Sequence, residues 1–328
     1  MKAMALRRYG RPEDLQWTDL PDPKVAPGEV LVRVKAAGVN PVDWKLAEGR
    51  LDAIMETGFP LIPGWDVAGV VEQVGFDVSE FAPGDEVFGY IRKDSAQFGA
   101  YAELVSAHVR LLARKPAALT WEEAAGIPLA GLTAYQTIQR IGLQAHETVL
   151  VHGAAGGVGS FGVQIAAALG ARVIATASER NHDFVRALGA VPVTYGAGLA
   201  DRVREQAPQG VDAVVDFVGG DAVDASLELL REPGRLASIV DPEAAAKGGH
   251  YVWVRPDRSD LEALAGLADD GRLAVHLDDV LPLGDAASAW RISQSGHVPG
   301  LQSPFEVGLD LAVKQGERAP ALGQGVEC

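Results

Sequence analysis

A chain of 328 residues is too long for one typical core, and a formal net charge of −15 leaves no basic footprint for nucleic acid or an anionic membrane surface. Hydrophobic residues at 48% and charged residues at 22% are the proportions of a folded, soluble protein. The one cysteine, Cys328, allows neither an internal disulfide nor a thiolate metal cage within the chain.

The stretch from Met1 to Gly10 is short and charged, unlike a signal peptide. The longest apolar stretch, residues 163–169, is far too short to span a bilayer. The expected compartment is the cytoplasm. After this start the chain reads as β-rich, with strand-like runs at 29–35 and 67–74. Turn clusters punctuate it at Pro21-Asp22-Pro23, Ala26-Pro27-Gly28 and Ala82-Pro83-Gly84-Asp85. Near Thr120 the texture changes: Thr120 and Glu123 have capping-box spacing ahead of an alanine-rich run. From there short apolar strands, predicted at 148–152, 172–177, 213–217, 235–240 and 251–255, alternate with helices. The helices are predicted at 158–169, 181–188, 222–230 and 260–269. That alternation predicts a parallel, doubly wound sheet. From about Arg272 onward irregular β structure is expected again. The order implies a nucleotide domain, residues 124–271, inserted into a second domain made of 1–123 and 272–328, with ligand in the cleft between them.

The sharpest local signal is Val149-Leu150-Val151-His152-Gly153-Ala154-Ala155-Gly156-Gly157-Val158-Gly159, which follows an apolar strand and opens a helix. Gly156 lets backbone approach a pyrophosphate, and Gly159 lets helix and strand pack closely. The helix start, with Ala155, Gly157 and Val158, then receives the phosphate charge. Ala154 stands where the usual fingerprint has its first glycine. An ordinary tight strand–helix turn is the alternative, and the flanking elements favour dinucleotide binding. The next strand ends Ala175-Thr176-Ala177-Ser178-Glu179-Arg180. Ser178 and Arg180 suit the 2′-phosphate of NADPH, whereas an NAD site places a carboxylate there. A shift of one residue would put Glu179 at the deciding position, and a solvated charge at a helix start is the plainer reading of Arg180.

Several stretches together resemble one family. They are Ala37-Gly38-Val39-Asn40-Pro41-Val42-Asp43-Trp44-Lys45, Pro63-Gly64-Trp65-Asp66-Val67-Ala68-Gly69-Val70-Val71 and Pro83-Gly84-Asp85-Glu86-Val87-Phe88-Gly89. Gly99-Ala100-Tyr101-Ala102-Glu103, Gly131-Leu132-Thr133-Ala134-Tyr135 and the glycine turn join them, in order, over nearly everything up to Gly300. The chain resembles the zinc-free quinone oxidoreductase branch of the medium-chain dehydrogenase/reductases. The resemblance implies an α/β Rossmann domain, with its doubly wound parallel sheet, plus a GroES-like β-rich catalytic domain, assembled as a homodimer. It also implies hydride transfer from NADPH to quinones or α,β-unsaturated carbonyl compounds. The zinc-ligand positions of alcohol dehydrogenases in this family fall on Asn40, Gly64-Trp65-Asp66 and Leu129. Indole and isobutyl groups cannot ligate zinc, and no four-cysteine structural site can be built. The seven histidines, His108, His146, His152, His182, His250, His276 and His297, form no close ligand pair, so no metal is expected.

Without a Lewis acid, alcohol oxidation lacks the means to lower the hydroxyl pKa. A conjugated carbonyl or quinone needs less: hydride adds at carbon, charge collects on oxygen, and a donor quenches it. The resemblance places Asn40 near the nicotinamide or the substrate carbonyl, where its amide can donate a hydrogen bond. Lys45 stands where some relatives carry a tyrosine and could stabilise or protonate the enolate. Asp43 is the third polar group, and a structural Asp43–Lys45 ion pair is the alternative for both. Trp65 is expected to wall the substrate pocket in the space left by the absent metal, with a purely packing role as the equal alternative. Thr133, Tyr195, Val218 and Ile239 complete the implied cofactor contacts. Two other readings stay open. An enoyl-thioester reductase would want a basic patch near the cleft, and none is evident in the sequence. A cofactor-binding sensor or structural protein would keep the fold and turn over little. After Gly296-His297-Val298 the family pattern breaks into an atypical tail, with 307–313 as a substitute closing strand.

Overall fold

The computed structural model describes residues 1–296 and the pair 305–306. A seven-stranded sheet forms the first layer system, and it draws on both ends of the chain. Its central strand, Glu29–Ala37, buries Val30, Val32, Val34 and Ala36 and leaves Arg33 and Lys35 half-exposed, the period-2 pattern of a one-sided sheet. It pairs antiparallel with Asp66–Val74 and with Leu104–His108. Phe305–Glu306 returns antiparallel beside Ala36 and Ala37, so the late chain closes onto the early strand.

The second sheet is six-stranded and parallel. Its spatial order is Val191–Val193, Arg172–Thr176, Thr148–His152, Ala213–Asp216, Leu236–Ser238 and His250–Tyr251. Every residue of Thr148–His152 is buried, as expected for a strand covered on both faces. Chain order reverses beside this strand: the sequence runs outward first through Arg172–Thr176, then through Ala213–Asp216 on the other side. The crevice at the carboxyl ends there is where such sheets bind ligands. The capping box at Thr120 is formed, with Thr120 N donating to Glu123 Oε2 at 2.8 Å and Glu123 N donating to Thr120 Oγ1 at 3.2 Å. It starts the helix Trp121–Gly126, and Pro128–Arg140 follows directly.

Two expectations are corrected. The strand predicted at 251–255 is only His250–Tyr251. Beyond Val252, the Gln136 side chain takes over the ladder's role: its Nε2 donates to the Arg255 carbonyl at 2.9 Å and its Oε1 accepts Arg255 N at 3.0 Å. The region after Arg272 is not chiefly β, because Ala286–Ser295 is a helix. Its buried residues Ala286, Ala289, Trp290 and Ser293 recur at helical spacing, but three are small and gave little apolar signal. Residues 307–313 lie outside the described residues. Among the described residues no helix is long and apolar enough to cross a membrane.

Candidate functional site

The carboxyl ends of the parallel strands open onto a cavity of about 680 Å³. Gly153, Ala155, Gly156, Ser178, Arg180, Tyr195 and Val218 line it. Gly153 adopts φ +73°, a left-handed turn that favours glycine, and its N–H donates to Thr176 Oγ1 at 3.1 Å. Gly156 caps the helix Gly157–Ala168 with extended backbone. Gly157 and Val158 form that helix's first turn, where N–H groups have no intrahelical partners. The strand Arg172–Thr176 ends two residues before Ser178, and the turn Glu179–Asn181 follows. Ser178 and Arg180 both line the cavity, whereas the exposed Glu179 does not. Thr133 is buried on Pro128–Arg140, donating from Oγ1 to the Leu129 carbonyl at 2.6 Å. Ile239 follows Leu236–Ser238, its N–H on the Asp216 carbonyl at 3.2 Å. Neither of these two lines the cavity.

Beneath the turn lies a polar layer that sequence reasoning missed. His152, Thr176, Asp216 and Ser238 end four neighbouring strands, and all four are buried. His152 Nε2 lies 2.7 Å from Ser226 Oγ, and its Nδ1 lies 3.4 Å from Thr176 Oγ1. Burial pushes the His152 imidazole down to about 4, so it is neutral at physiological pH. Asp216 accepts from Val218 N at 3.0 Å, Gly219 N at 2.9 Å and Ser238 Oγ at 2.6 Å, which fixes the loop carrying Val218. The available signal was a polar residue closing each apolar strand.

None of Asn40, Asp43, Lys45 and Trp65 lines the cavity at the glycine turn. Asn40 precedes the helix Pro41–Ala47, which has proline at its first position. Asp43, at the third, accepts Asn40 N at 2.8 Å and so starts the helix. Its carboxyl also accepts the Tyr101 hydroxyl at 3.0 Å, and Trp290 Nε1 donates to that hydroxyl at 3.3 Å. Burial pushes Asp43 up to about 7, against the pull of hydrogen bonds from Asn40, Tyr101 and Gly64. Asn40 Nδ2 donates to Asp66 Oδ2 at 2.9 Å, and Leu129 N donates to Asp66 Oδ1 at 3.0 Å. Burial also pushes Asp66 well above the usual carboxylate range, and Asp43 nearby adds to the rise. Trp65 is buried edge-on to Tyr90, with ring centroids 6.1 Å apart.

The Asp43–Lys45 ion pair is not formed. Residues two apart on a helix face different ways, and Lys45 Nζ instead lies 5.4 Å from the Trp44 ring centroid. Asp66, Tyr101 and Trp290 are the polar and aromatic partners of this cluster that the sequence did not single out. The three positions compared with zinc ligands do come together, with Asp66 bridging Asn40 and Leu129. Among the described residues no three His, Cys, Asp or Glu side chains gather into a metal-binding group.

Comparison with known proteins agrees with the fold class, a GroES-like domain plus a Rossmann-like domain. Residues 26–117 match the alcohol dehydrogenase GroES-like domain, and residues 188–300 match the zinc-binding dehydrogenase family. A chloroplast envelope quinone oxidoreductase homolog from Arabidopsis thaliana is 31% identical over 92% of this chain and 97% of its own length. A chloroplastic NADPH-dependent alkenal/one oxidoreductase from the same plant is 31% identical over 92% of this chain and 78% of its own. Among solved structures, a mycobacterial protein complexed with NADPH superposes with a TM-score of 0.78 at 31% identity, covering 93% of this chain and 99% of that one. The chain belongs to the medium-chain dehydrogenase/reductase superfamily and to its quinone oxidoreductase-like branch.

Proposed function

We propose that this chain is a zinc-independent reductase that uses NADPH to reduce quinones or the C=C bond of α,β-unsaturated carbonyl compounds. One observation supports the reading: Ser178 and Arg180 line the cavity at the glycine turn, while the positions compared with zinc ligands hold an amide, an indole beside a carboxyl, and an isobutyl group. Gly156 leaves the helix start open, and Ser178 and Arg180, rather than a carboxylate, flank the cavity, so the residues present fit NADPH. The names of the relatives, quinone and alkenal/one oxidoreductases, support the same class.

NADPH, when bound, supplies the hydride. Ala155, Gly157 and Val158 would hold the pyrophosphate through backbone N–H groups, and Ser178 and Arg180 would hold the 2′-phosphate. Gly156, whose own N–H donates to the Gly153 carbonyl at 3.0 Å, would leave room for the pyrophosphate. Tyr195 and Val218 would flank the dinucleotide, with Thr133 and Ile239 toward its nicotinamide end. Asn40 spends one amide N–H on Asp66; the second would donate to the substrate carbonyl as charge collects on oxygen. Asp43, titrating near neutrality, holds a proton in contact with the Tyr101 hydroxyl, and Lys45 is the second proton source. Trp65 walls the space beside Asn40.

The division that goes with this function is 1–123 and 272–328 around 124–271, supported by the two sheets drawing their strands from those stretches. The assembly we infer is a homodimer: His250–Tyr251 is an edge strand of the parallel sheet, with Tyr251 and Trp253 exposed beside it. A cytoplasmic setting accompanies the reading, since the single cysteine offers no internal disulfide.

The test is NADPH oxidation with 1,4-benzoquinone and with but-3-en-2-one, with and without chelator. Chelator-insensitive turnover is the expected result. Loss of turnover with chelator and recovery with zinc would overturn the metal-free mechanism. Tight NADPH binding without turnover would move the weight to a carrier-bound substrate or to a sensor or structural protein.

An enoyl-thioester acceptor is a second reading, favoured by one feature absent from the linear sequence. Arg92, Lys93 and Arg110 line a cavity of about 290 Å³ together with Asp94 and with Pro256 from the other domain, Lys93 being paired with Glu29 at 3.4 Å. Such a group suits a phosphate on the carrier arm. A kcat/KM for crotonyl thioester far above that for the neutral enone, falling steeply with salt, would favour it.

A further inference from the structure

We propose that Asp66 is a positioning residue: its carboxylate orients the Asn40 amide and ties it to the first turn of the helix that carries Thr133. The proposal deepens the reading of Asn40 as the group that meets the substrate carbonyl.

Asp66 is buried, and among the described residues no cation pairs with it. A carboxylate in that position is costly unless hydrogen bonds compensate it. Its two donors come from different domains. Asn40 Nδ2 reaches Oδ2 at 2.9 Å from the start of Pro41–Ala47, and Leu129 N reaches Oδ1 at 3.0 Å from the start of Pro128–Arg140. Leu129 N–H belongs to a helix's first turn, where no intrahelical acceptor exists and a negative charge is favoured. The same turn is locked from within, because Thr133 Oγ1 donates to the Leu129 carbonyl at 2.6 Å.

Asp66 Oδ2 accepts from Asn40 Nδ2, and while that oxygen carries no proton it admits the NH₂ end of Asn40 and rejects its carbonyl end. That choice leaves the second amide N–H available in one direction. Burial favours the protonated carboxyl, so the selection is lost as Asp66 takes up a proton. An apolar side chain would fill the volume without selecting either end. The Asp66 side chain is itself confined: a Cβ added at Gly38 would lie 2.9 Å from Asp66 Cβ, so only glycine permits the close approach there. Gly38 N also donates to the Asp66 carbonyl at 3.1 Å.

The experiment is a double-mutant cycle of Asp66→Asn and Asn40→Ala, read as kcat and KM for but-3-en-2-one and as NADPH affinity by fluorescence titration. Asp66→Asn can both donate and accept, so it removes the selection while keeping the volume. Asn40→Ala should lower kcat about 10²-fold, the size of a lost oxyanion donor. Asp66→Asn should lower kcat by at least about tenfold with NADPH affinity retained, and should cost little more on the Asn40→Ala background. A second readout needs no turnover: in the cofactor-free protein the Asn40 side-chain amide should exchange slowly with solvent, and faster in Asp66→Asn. If Asp66→Asn does not fold, Asp66→Glu keeps an acceptor-only group and should retain slow exchange of the Asn40 amide. Losses that simply multiply, or exchange unchanged by Asp66→Asn, would overturn the proposal. Wild-type kcat in Asp66→Asn alone overturns it while Asn40 keeps its role; wild-type kcat in Asn40→Ala overturns both.

Discussion

A Cβ on Gly159 would collide with the carbonyl oxygen of Gly153, whereas one on Gly156 would meet that same oxygen only at 3.4 Å. The two glycines of one turn therefore do different work. Gly159 lets the helix Gly157–Ala168 settle onto the strand end, and Gly156 keeps the helix mouth open to a phosphate. Gly159→Ala should destabilise the fold by about 1–3 kcal/mol, the usual cost of overpacking. Gly156→Val should stay within about 1 kcal/mol of the parent in urea unfolding, a cap-residue effect, yet lose NADPH in a fluorescence titration. Unchanged NADPH affinity in Gly156→Val would remove the phosphate assignment.

Arg180 lines the cavity two residues after Ser178, with no ion pair among the described residues. Its guanidinium is thus available for a 2′-phosphate. Arg180→Ala should weaken NADPH by about 1.5–3 kcal/mol, the worth of charge-assisted hydrogen bonds, and leave NADH nearly untouched. Equal losses for the two cofactors would show that Arg180 does not read the phosphate.

Asp43 titrates at about 7 in the folded chain against a reference of 3.8. Between those values the folded state holds a proton that the unfolded state has released, so this group's contribution is greatest below about pH 4 and is lost as pH rises through 7. Asp43→Asn cannot ionise. It should gain on the parent as pH is raised across that window, by up to about 4 kcal/mol on the scale of 1.36 kcal/mol per unit. His152, pushed down to about 4, titrates in the opposite sense but is common to both proteins and cancels. Urea unfolding at a series of pH values measures the difference, and a difference flat with pH would show that Asp43 is not held protonated.

Much of the fold was legible because its signals are local. Thr148–His152 is a fully buried run, apolar at Val149, Leu150 and Val151 and followed by a glycine turn, and the helix after it is set by small residues and spacing. The helix Ala286–Ser295 was not legible, since Trp290 is the only large side chain on its buried face. The strand predicted at 251–255 failed because the distant Gln136 side chain captures Arg255. Strand register alone put Ser178 and Arg180 just past Arg172–Thr176, where both line the cavity. On the substrate side, Asn40 and Asp43 were named, but their partners Asp66, Tyr101 and Trp290 come from segments 26 to 189 residues away along the hydrogen-bond chain.

The sequence by itself determined the fold class, the parallel sheet, the glycine turn and the absence of zinc-ligating side chains at Trp65 and Leu129. Those follow from periodicity, backbone permissiveness and donor chemistry, which each residue carries wherever it is placed. Tertiary structure decided which carboxyl meets which amide. It set Asp66 between Asn40 and Leu129, separated Lys45 from Asp43, and moved Asp43 toward neutrality. Those outcomes depend on burial and on hydrogen bonds between remote segments, and both exist only once the chain has folded.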